Sequence, residues 1–404
     1  MPVRATKRGD ERTPLDGEHD VLICGASFAG LAVARELAGS GADVLVLDRY
    51  EIGERQTSAC GIPTEWLRRL GLMEAERQRF DTLVMHTPHG DARYRLPWTF
   101  STFDYRELCR LLWRDCDASF ETAKVNGRTP TANGNGRIAV DTDRGTISAP
   151  LVVDALGWRR MLAGGDGYQP PDAPLSRGLE VHPGGRSDDL AIWIDRKYVP
   201  AGYGWSFPAD DELRIGIGSF DPRFHVKDTT VALTRDLGKE PNEYQGNWIP
   251  HKLRRATEGG VFFVGDSAGH CLPLSAEGIR TALYFGIALG RELRGVVEGH
   301  QGRAEAESNY ASFHDAHEWK FKWMLRVQKL VPRVPPRLLG PAIRLMGSKR
   351  FVDWSFGHYL QIAPPEYAGS RKAGGSADDQ DRPGKQQNDA QDPLGGERDL
   401  VEAE

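Results

Sequence analysis

The sequence predicts an α/β fold in which a doubly wound parallel sheet is interleaved with a second, mostly antiparallel β-sheet and followed by a C-terminal helical segment. Two glycine-rich turns, at 25–30 and 264–269, each follow a short apolar strand and precede a helix, as in open α/β sheets. Between them, residues 203–208 and 213–218 alternate in the manner of a β-hairpin. Since the two turns lie far apart in sequence, a sheet that uses both must be interrupted by the second domain.

The first turn begins a βαβ unit of the kind that binds dinucleotides. Residues 21–24 are an apolar run typical of a buried parallel strand, and residues 31–38 have the composition of a helix. Gly25 lets the chain turn sharply between them, and Gly30 allows the helix to pack closely on the strand. The small side chain of Ser27, where the usual pattern has glycine, lets the backbone approach a pyrophosphate at the helix N-terminus.

An acidic residue completes this unit. The next apolar strand, residues 44–47, ends at Asp48, about 20 residues beyond the glycines, where a carboxylate can accept hydrogen bonds from ribose hydroxyls. An ordinary strand-to-helix turn is the alternative interpretation, and the position of Asp48 argues against it.

The second turn indicates which dinucleotide is bound. Strand 260–264 is followed by Gly265 and Asp266, whose side chain could contact the ribitol or pyrophosphate of a long cofactor. A helix that opens near Gly278 could direct backbone N–H groups at the electron-rich edge of a flavin ring. Each of the two turns would be one contact region, or station, for the cofactor. Enzymes that bind only NAD do not need the second station, so FAD is predicted. The alternative is that Asp266 merely caps a helix. The expected cofactor-binding residues are Gly25, Ser27, Phe28, Ala29, Gly30, Asp48, Arg49, Arg106, Gly265, Asp266, Gly278 and Ile279.

With these motifs the chain resembles the geranylgeranyl reductase family, within the larger group of FAD enzymes that also contains the aromatic hydroxylases. The resemblance extends from about residue 18 to about residue 362. It implies reduction of carbon–carbon double bonds in a geranylgeranyl or other polyisoprenoid lipid, with NADPH or a reduced protein carrier as electron donor. The stretches that carry it are 25–30 with Asp48, Cys60–Gly61, Tyr203–Pro208 with its Tyr-x-Trp-x-Phe-Pro pattern, and 265–279.

Cys60 is the candidate catalytic residue. It lies in a turn-rich polar stretch at 56–63, beyond the ribose-binding acid, and the matching cysteine of the family lies near flavin and substrate. From the residues alone, a structural role is equally open. The five cysteines are far apart, without the spacing of a metal site, so no metal is expected and a reducing compartment is indicated.

The aromatic strand at 203–208 supplies the candidate substrate residues Tyr203, Trp205, Phe207 and Gly216. Strand alternation places the three aromatic side chains on one face, and the glycines of the following strand would leave a groove opposite them. Such a wall and groove suit a long unsaturated chain. An ordinary core stripe is the alternative.

The domains follow from where these motifs fall. Residues 20–77, 101–160 and 255–298 are expected to form the FAD-binding domain, and residues 78–100 and 161–254 the substrate domain. The remaining segments are a flexible N-terminus at 1–19, a C-terminal helical region at 299–365 and a disordered tail at 366–404.

Charge restricts the partners. The formal net charge is −5, of which −4 comes from the five basic and nine acidic residues of 369–404, so nucleic acid is not an expected partner.

Residues 1–19 are polar, and neither a signal peptide nor a spanning helix is indicated, which predicts a cytoplasmic protein. Segment 320–350 contains nine Lys or Arg and no acid, interleaved with apolar residues. It could rest on an anionic bilayer or simply cap the substrate domain.

Two other functions stay open at this stage. A flavin-dependent monooxygenase of the aromatic-hydroxylase group would share both FAD stations, and a flavoprotein could bind isoprenoid lipid without turning it over. The Tyr203–Pro208 and Cys60–Gly61 stretches favour the reductase.

Overall fold

Three β-sheets and ten α-helices make up the part of the chain that the computed structural model describes, residues 13–56, 58–129, 136–164 and 175–369. The first is a six-stranded sheet of short, buried Val, Leu and Ile runs, parallel except at one edge, where the edge strand is antiparallel. In spatial order its strands are β17 (Thr257–Glu258), β18 (Val261–Phe263), β11 (Leu151–Asp154), β2 (Val21–Cys24), β3 (Val44–Asp48) and β7 (Ser119–Thr122).

The second sheet is small and has four strands. Its order is β1 (Gly17–Glu18), β10 (Gly145–Ala149), β9 (Ile138–Thr142) and β8 (Val125–Thr129). Since β1 pairs with β10, the ordered structure includes Gly17 and Glu18, which were expected to be flexible.

The third sheet has eight strands and is antiparallel except where β13 pairs with β5. We call it the substrate sheet, after the substrate domain that the sequence predicts for most of its strands. Its strands, in spatial order, are β16 (Gln245–Pro250), β12 (Leu175–Val181), β15 (Glu212–Ser219), β14 (Gly202–Ala209), β13 (Leu190–Trp193), β5 (Glu76–Thr87), β6 (Gly90–Phe103) and β4 (Gly61–Pro63).

The helices complete the described structure. Short 3₁₀ turns lie at Met73–Ala75, Gly265–Ala268 and Val331–Arg333. The α-helices are α1 (Phe28–Leu37), α2 (Thr64–Leu70), α3 (Tyr105–Arg114), α4 (Lys227–Asp236), α5 (Ile279–Val297), α6 (Arg303–Asp315), α7 (Glu318–Leu330), α8 (Pro336–Met346), α9 (Lys349–Leu360) and α10 (Glu366–Gly369). Among the described helices, none combines the length and apolarity needed to cross a bilayer.

Helices α1 and α5 bring the two distant turns together. An ideal Cβ built on Gly286 would lie 2.8 Å from the carbonyl oxygen of Ala29, and one on Gly290 would lie 2.5 Å from Cβ of Glu36. Glycine at these two positions of α5, four residues apart, therefore lets the helices approach at backbone distance. This packing explains how segments remote in sequence share one parallel sheet.

The predicted fold class is confirmed, and its interleaving is as expected. The boundaries differ in two places. The substrate sheet includes all of 76–103, and it takes in β4, which lies inside the segment expected to belong to the FAD-binding domain. Residues 366–369 form α10, while residues 1–12 and 370–404 lie outside the described residues.

Candidate functional site

The first glycine turn leaves the N-terminus of α1 open. Gly25 has φ of +113°, and a Cβ there would lie 2.2 Å from the carbonyl oxygen of Ala155. Ser27 is the residue that precedes the helix, but its side chain makes no capping hydrogen bond and the first turn contains no acid. The first N–H groups of α1 therefore have no intrahelical partner and can donate to an anion such as a pyrophosphate.

Asp48 lies directly beside this turn, as predicted. Its Oδ2 accepts a hydrogen bond from the backbone N–H of Ala26 at 2.8 Å, and its Oδ1 accepts one from Tyr50 at 3.0 Å. Burial raises the pKa of this carboxyl. Each oxygen keeps a further lone pair, so Asp48 can fix the turn and still accept a hydroxyl.

The other residues predicted around this turn differ in exposure. Phe28 is buried against Phe103 and Tyr105, with ring centroids 5.9 and 5.3 Å away. Arg49 is exposed, with its guanidinium over the ring of Tyr50. Arg106 is exposed on α3, and within the described chain its guanidinium has no hydrogen-bond or ion-pair partner. Arg106 is thus available to an anionic ligand, whereas Phe28 shapes the turn.

The second turn lies against the first. Gly265 has φ of +67°, and an ideal Cβ on it would lie 2.9 Å from Cβ of Ala29 in α1. The N–H of Gly265 donates to Nδ1 of the buried His270 at 3.0 Å. The two stations predicted from the sequence are therefore neighbours at the carboxyl ends of β2 and β18.

Asp266 carries a carboxylate without a hydrogen-bond or ion-pair partner among the described residues. Burial raises its pKa to about 6. Its Oδ1 is 3.7 Å from the position a Cβ would take on Gly278, the residue that precedes α5. Asp266 and the start of α5 are therefore brought together, as predicted for the second station.

The loop that leads into α5 has an unusual backbone. Leu274 and Ala276 have φ of +69° and +52°, in the left-handed region that residues with a side chain rarely adopt. No side chain caps the start of α5 at Gly278 and Ile279, and its first turn contains no acid. Strained backbone and free N–H groups at one place are typical of a ligand-binding turn.

These features fit FAD. Two helix N-termini without caps can hold the pyrophosphate and the ring edge, Asp48 can hold the ribose, and the unpartnered Asp266 can accept hydroxyls of the ribityl chain. The donor and acceptor set of this chain is therefore that of an extended dinucleotide site.

The aromatic strand is arranged as predicted. In β14, Tyr203, Trp205 and Phe207 are partly exposed on one face, while Gly204 and Ser206 are buried on the other. This is the reverse of a core stripe, in which the large apolar side chains would be the buried ones. The three aromatic side chains are therefore not fully covered by the rest of the described chain.

The prediction that the glycines of β15 leave an open groove is wrong. In the β14–β15 hairpin, Gly216 lies directly across from Trp205, and Gly218 lies across from Tyr203. A Cβ on Gly216 would lie 2.2 Å from Cζ2 of Trp205. The indole itself thus covers Gly216, because directly opposed residues of antiparallel strands share a face.

Cys60 lies at the seam between the glycine turn and the substrate sheet. It is fully buried, has φ of +53°, and precedes β4. Its Sγ donates to the carbonyl oxygen of Ser58 at 3.1 Å, and it belongs to the apolar cluster that contains Phe28. Burial raises the pKa of the Cys60 thiol well above its ordinary value, so the group is protonated at neutral pH. Its catalytic role stays a prediction.

Two polar networks beside the site were not predicted. One joins Glu277 and the fully buried Arg280 at the start of α5. Arg280 also donates to the carbonyl oxygens of Leu360, the last residue of α9, and of Ala363. The other contains Glu180, on β12. The strand mixes polar and apolar residues, so its sequence did not indicate that Glu180 is buried or that its carboxylate has partners on other strands.

Comparisons with known proteins find relatives in sequence and in fold. Residues 20–183 match the model of the lycopene cyclase protein family. A digeranylgeranylglycerophospholipid reductase of Methanosphaera stadtmanae is 25% identical over 352 residues, covering 78% of this chain and 87% of that protein. A geranylgeranyl bacteriochlorophyll reductase-like protein of Thermoplasma acidophilum superimposes with a TM-score of 0.74 at 16% identity, over 87% of this chain and 98% of its own.

A second kind of enzyme shares the fold. A probable FAD-dependent monooxygenase of Pseudomonas aeruginosa superimposes with a TM-score of 0.62 at 16% identity, over 84% of this chain and all of its own, at 100%. This likeness concerns architecture. With the sequence relatives, the resemblance predicted from the motifs is confirmed: the chain is similar to geranylgeranyl reductases, and the protein is an FAD-dependent oxidoreductase.

Proposed function

We propose that the protein reduces carbon–carbon double bonds of a geranylgeranyl or other polyisoprenoid lipid. The partly exposed aromatic face of Tyr203, Trp205 and Phe207 carries the proposal, since it offers a long apolar chain three aromatic side chains on one face of a strand. Burying that chain contributes about 25 cal/mol per Å². The names of the sequence relatives, which are reductases of a geranylgeranylated lipid, support the same substrate class.

The residues of this chain have separable tasks in that reaction. Reduced FAD, when bound, supplies a hydride to one alkene carbon. Asp48, Asp266 and the starts of α1 and α5 hold the cofactor, while the aromatic face orients the lipid and excludes water. Cys60 is the proposed source of the proton for the second carbon, directly or through a water, because its thiol is protonated at neutral pH. NADPH or a reduced protein carrier restores the reduced cofactor.

The test is a single-turnover experiment. FAD-loaded protein is reduced without oxygen and mixed with a geranylgeranylated glycerophospholipid; we expect the flavin to reoxidise and the lipid to gain two hydrogens per bond reduced. Cys60→Ala should slow this step while FAD stays bound, with the buried Cys109→Ala as the matched control. A product that gains oxygen, and only in air, would establish the monooxygenase instead. A lipid that binds to the protein but is recovered unchanged would show that the protein binds isoprenoid lipid without turning it over.

The C-terminal helices support a second proposal, contact with an anionic bilayer. Of the eight exposed large hydrophobic residues in the described chain, seven lie in 319–354, the other being Tyr244. Leu345 is 79% exposed and Trp319 67%. The basic residues of the same segment with exposed side chains are Lys322, Arg326, Lys329, Arg333, Arg337, Arg344, Lys349 and Arg350.

Helix α7 has one buried and one exposed face, which supports both interpretations of this segment. Phe321 and Met324 are buried and pack on the body of the protein, whereas Trp319, Trp323 and Leu330 lie on the solvent side. Indole rings beside exposed cations suit the interface of an anionic membrane. The helix therefore caps the molecule with one face and offers the other to lipid, which would place the protein in the cytoplasm at the membrane surface.

A further inference from the structure

A buried acid lies under the aromatic face. Glu180 is 3% exposed near the end of β12, where β15 places Gly216 directly across from it and β14 places Trp205 across from Gly216. The three residues form a row over adjacent strands and share one face of the substrate sheet. Nε1 of Trp205 donates to Oε2 of Glu180 at 3.1 Å, so the indole reaches across Gly216 to the acid.

Glycines make the floor on which the indole lies. A Cβ on Gly216 would lie 2.2 Å from Cζ2 of Trp205, one on Gly218 would lie 3.4 Å from Cζ3, and one on Gly178 would lie 3.8 Å from Cη2. A side chain at 216 would overlap the ring, whereas the other two positions are in ordinary contact. The ring can therefore lie flat because Gly216 has no side chain beneath it. The carboxylate of Glu180 binds the edge of the ring and holds it there.

The charge of this buried acid is compensated by its neighbours. Oε1 of Glu180 lies 2.9 Å from Nε2 of His182, whose Nδ1 lies 3.5 Å from Oε1 of Glu212. Burial alone would lower the His182 pKa, but the hydrogen bonds to the two carboxylates raise it to about 9. His182 is therefore a cation at neutral pH, and the pair satisfies the condition under which a buried carboxylate is tolerated.

Arg214 continues this network to the turn that carries Cys60. It is 4% exposed, and its Nε donates to Oε1 of Glu212 at 2.8 Å. Its Nη1 donates to the carbonyl oxygens of Ala59 at 3.0 Å and Phe103 at 2.9 Å. The polar chain thus begins at Trp205 and ends at the backbone around the candidate catalytic thiol.

We propose that Glu180 is a positioning residue, which holds the Trp205 indole flat on the substrate sheet and, through His182, Glu212 and Arg214, fixes that ring relative to the Cys60 turn. The assignment of Trp205 to the substrate wall rests on the proposed function; the hydrogen bond and its effect on the ring do not. Glu180 therefore shapes the wall without touching the lipid.

The ring's position is measured directly by the indole N–H signals in ¹⁵N-labelled protein. The signal lost in Trp205→Phe identifies Trp205. In Glu180→Leu that N–H should shift and exchange with solvent at least tenfold faster, whereas Glu180→Gln, which keeps an acceptor oxygen, should retain the protection. The buried indole of Trp66, which donates to the carbonyl oxygen of Ala363, is the internal control for an intact fold.

A second variant displaces the ring without altering the acid. Gly216→Ala should produce the same change in the Trp205 signal, so the proposal stays testable if Glu180→Leu does not fold. Protection of Trp205 that is unchanged in Glu180→Leu, with Trp66 also unchanged, would overturn the proposal.

Turnover then distinguishes this proposal from the proposed function. With a geranylgeranylated lipid, Glu180→Leu should raise KM about tenfold with a smaller effect on kcat, and it should add nothing in a Trp205→Phe background. Additive effects would contradict positioning through Trp205. If neither the wild type nor any variant reduces the lipid, but the indole signals respond as expected, the proposed function fails and the role of Glu180 stands.

Discussion

Asp266 illustrates how one side chain can cost stability and serve binding. Its carboxylate has no partner among the described residues, and burial raises its pKa to about 6. A folded-state pKa above the unfolded value means that the protonated form favours folding. That contribution is complete below about pH 4 and is lost as pH rises through about 6. At neutral pH, the cofactor-free protein therefore carries a destabilising charge at this position.

The variant Asp266→Asn should separate the two roles. Without FAD, we expect its free energy of unfolding at pH 7 to rise by about 1 to 3 kcal/mol, with the gain vanishing near pH 4. FAD should bind more weakly, since the amide is a poorer acceptor for ribityl hydroxyls. Thermal unfolding and flavin titration measure both, with the exposed Asp81→Asn as control. A loss of stability without FAD, or unchanged affinity, would refute this account.

Single residues were predictable where a local motif fixes their surroundings. Gly25 directly follows β2, Asp48 is the last residue of β3, and Asp266 comes three residues after β18, so their place at the carboxyl edge of the sheet follows from the chain itself. Glu180 and Arg214 depend instead on partners from other strands. Their contacts require the register of β12, β15 and β14, which sequence alternation does not supply.

At the level of elements, the contact between α1 and α5 decides whether the two FAD stations meet. Gly286 faces the carbonyl oxygen of Ala29 and Cβ of Ala32, each at 2.8 Å from an ideal Cβ. For Gly295, on the same helix, the three atoms nearest to an ideal Cβ all belong to the side chain of Gln301. The two glycines therefore offer a matched comparison of rigid and yielding neighbours.

Gly286→Ala should destabilise the protein by about 1 to 3 kcal/mol, because overpacking against backbone outweighs a gain in helix propensity of at most about 1 kcal/mol. It should also weaken FAD binding, since Ala29 must move away from Gly265. Gly295→Ala should be neutral or slightly stabilising, with FAD affinity unchanged. Denaturant unfolding and flavin titration test the pair, and equal effects at the two positions would show that helix contact is not what matters.

The aromatic hairpin shows how far strand patterns reach. Alternation correctly placed Tyr203, Trp205 and Phe207 on one face, because the period of a strand is two residues. It did not reveal that the glycines of β15 lie across from the aromatics on the same face, nor that the Trp205 ring occupies the space they leave. Side-chain packing across strands decided this detail.

For the molecule as a whole, the interleaved order of domains was predictable and their exact seams were not. The two glycine turns require 255–298 to return to the first sheet, which the pairing of β18 with β11 fulfils. The strand β4 joins the substrate sheet through backbone hydrogen bonds with β6. A strand of three residues is too short to show an alternating pattern, so this pairing could not be predicted from the sequence. Cys60 lies at this seam for the same reason.

The C-terminal surface yields the prediction that concerns the whole molecule. Arg326, Lys329 and Arg333 are exposed, and within the described chain they form no ion pair or hydrogen bond, so each is free to face anionic lipid. At about 1 kcal/mol per cation near the surface, reversing all three to Glu should weaken binding to anionic vesicles at least about 100-fold. Trp319→Ala with Trp323→Ala should also weaken it by removing the apolar contact.

Vesicle flotation at low and high salt measures both effects, and neutral phosphatidylcholine vesicles should bind the wild type poorly because the cations have no anionic partner there. The matched controls lie outside 319–354: Arg95→Glu, which reverses an 86% exposed cation, and Tyr244→Ala, which removes an exposed aromatic ring. Both controls should float like the wild type. If the triple reversal also floats like the wild type, the exposed face of α7 does not dock on lipid, and the segment serves only to cap the fold.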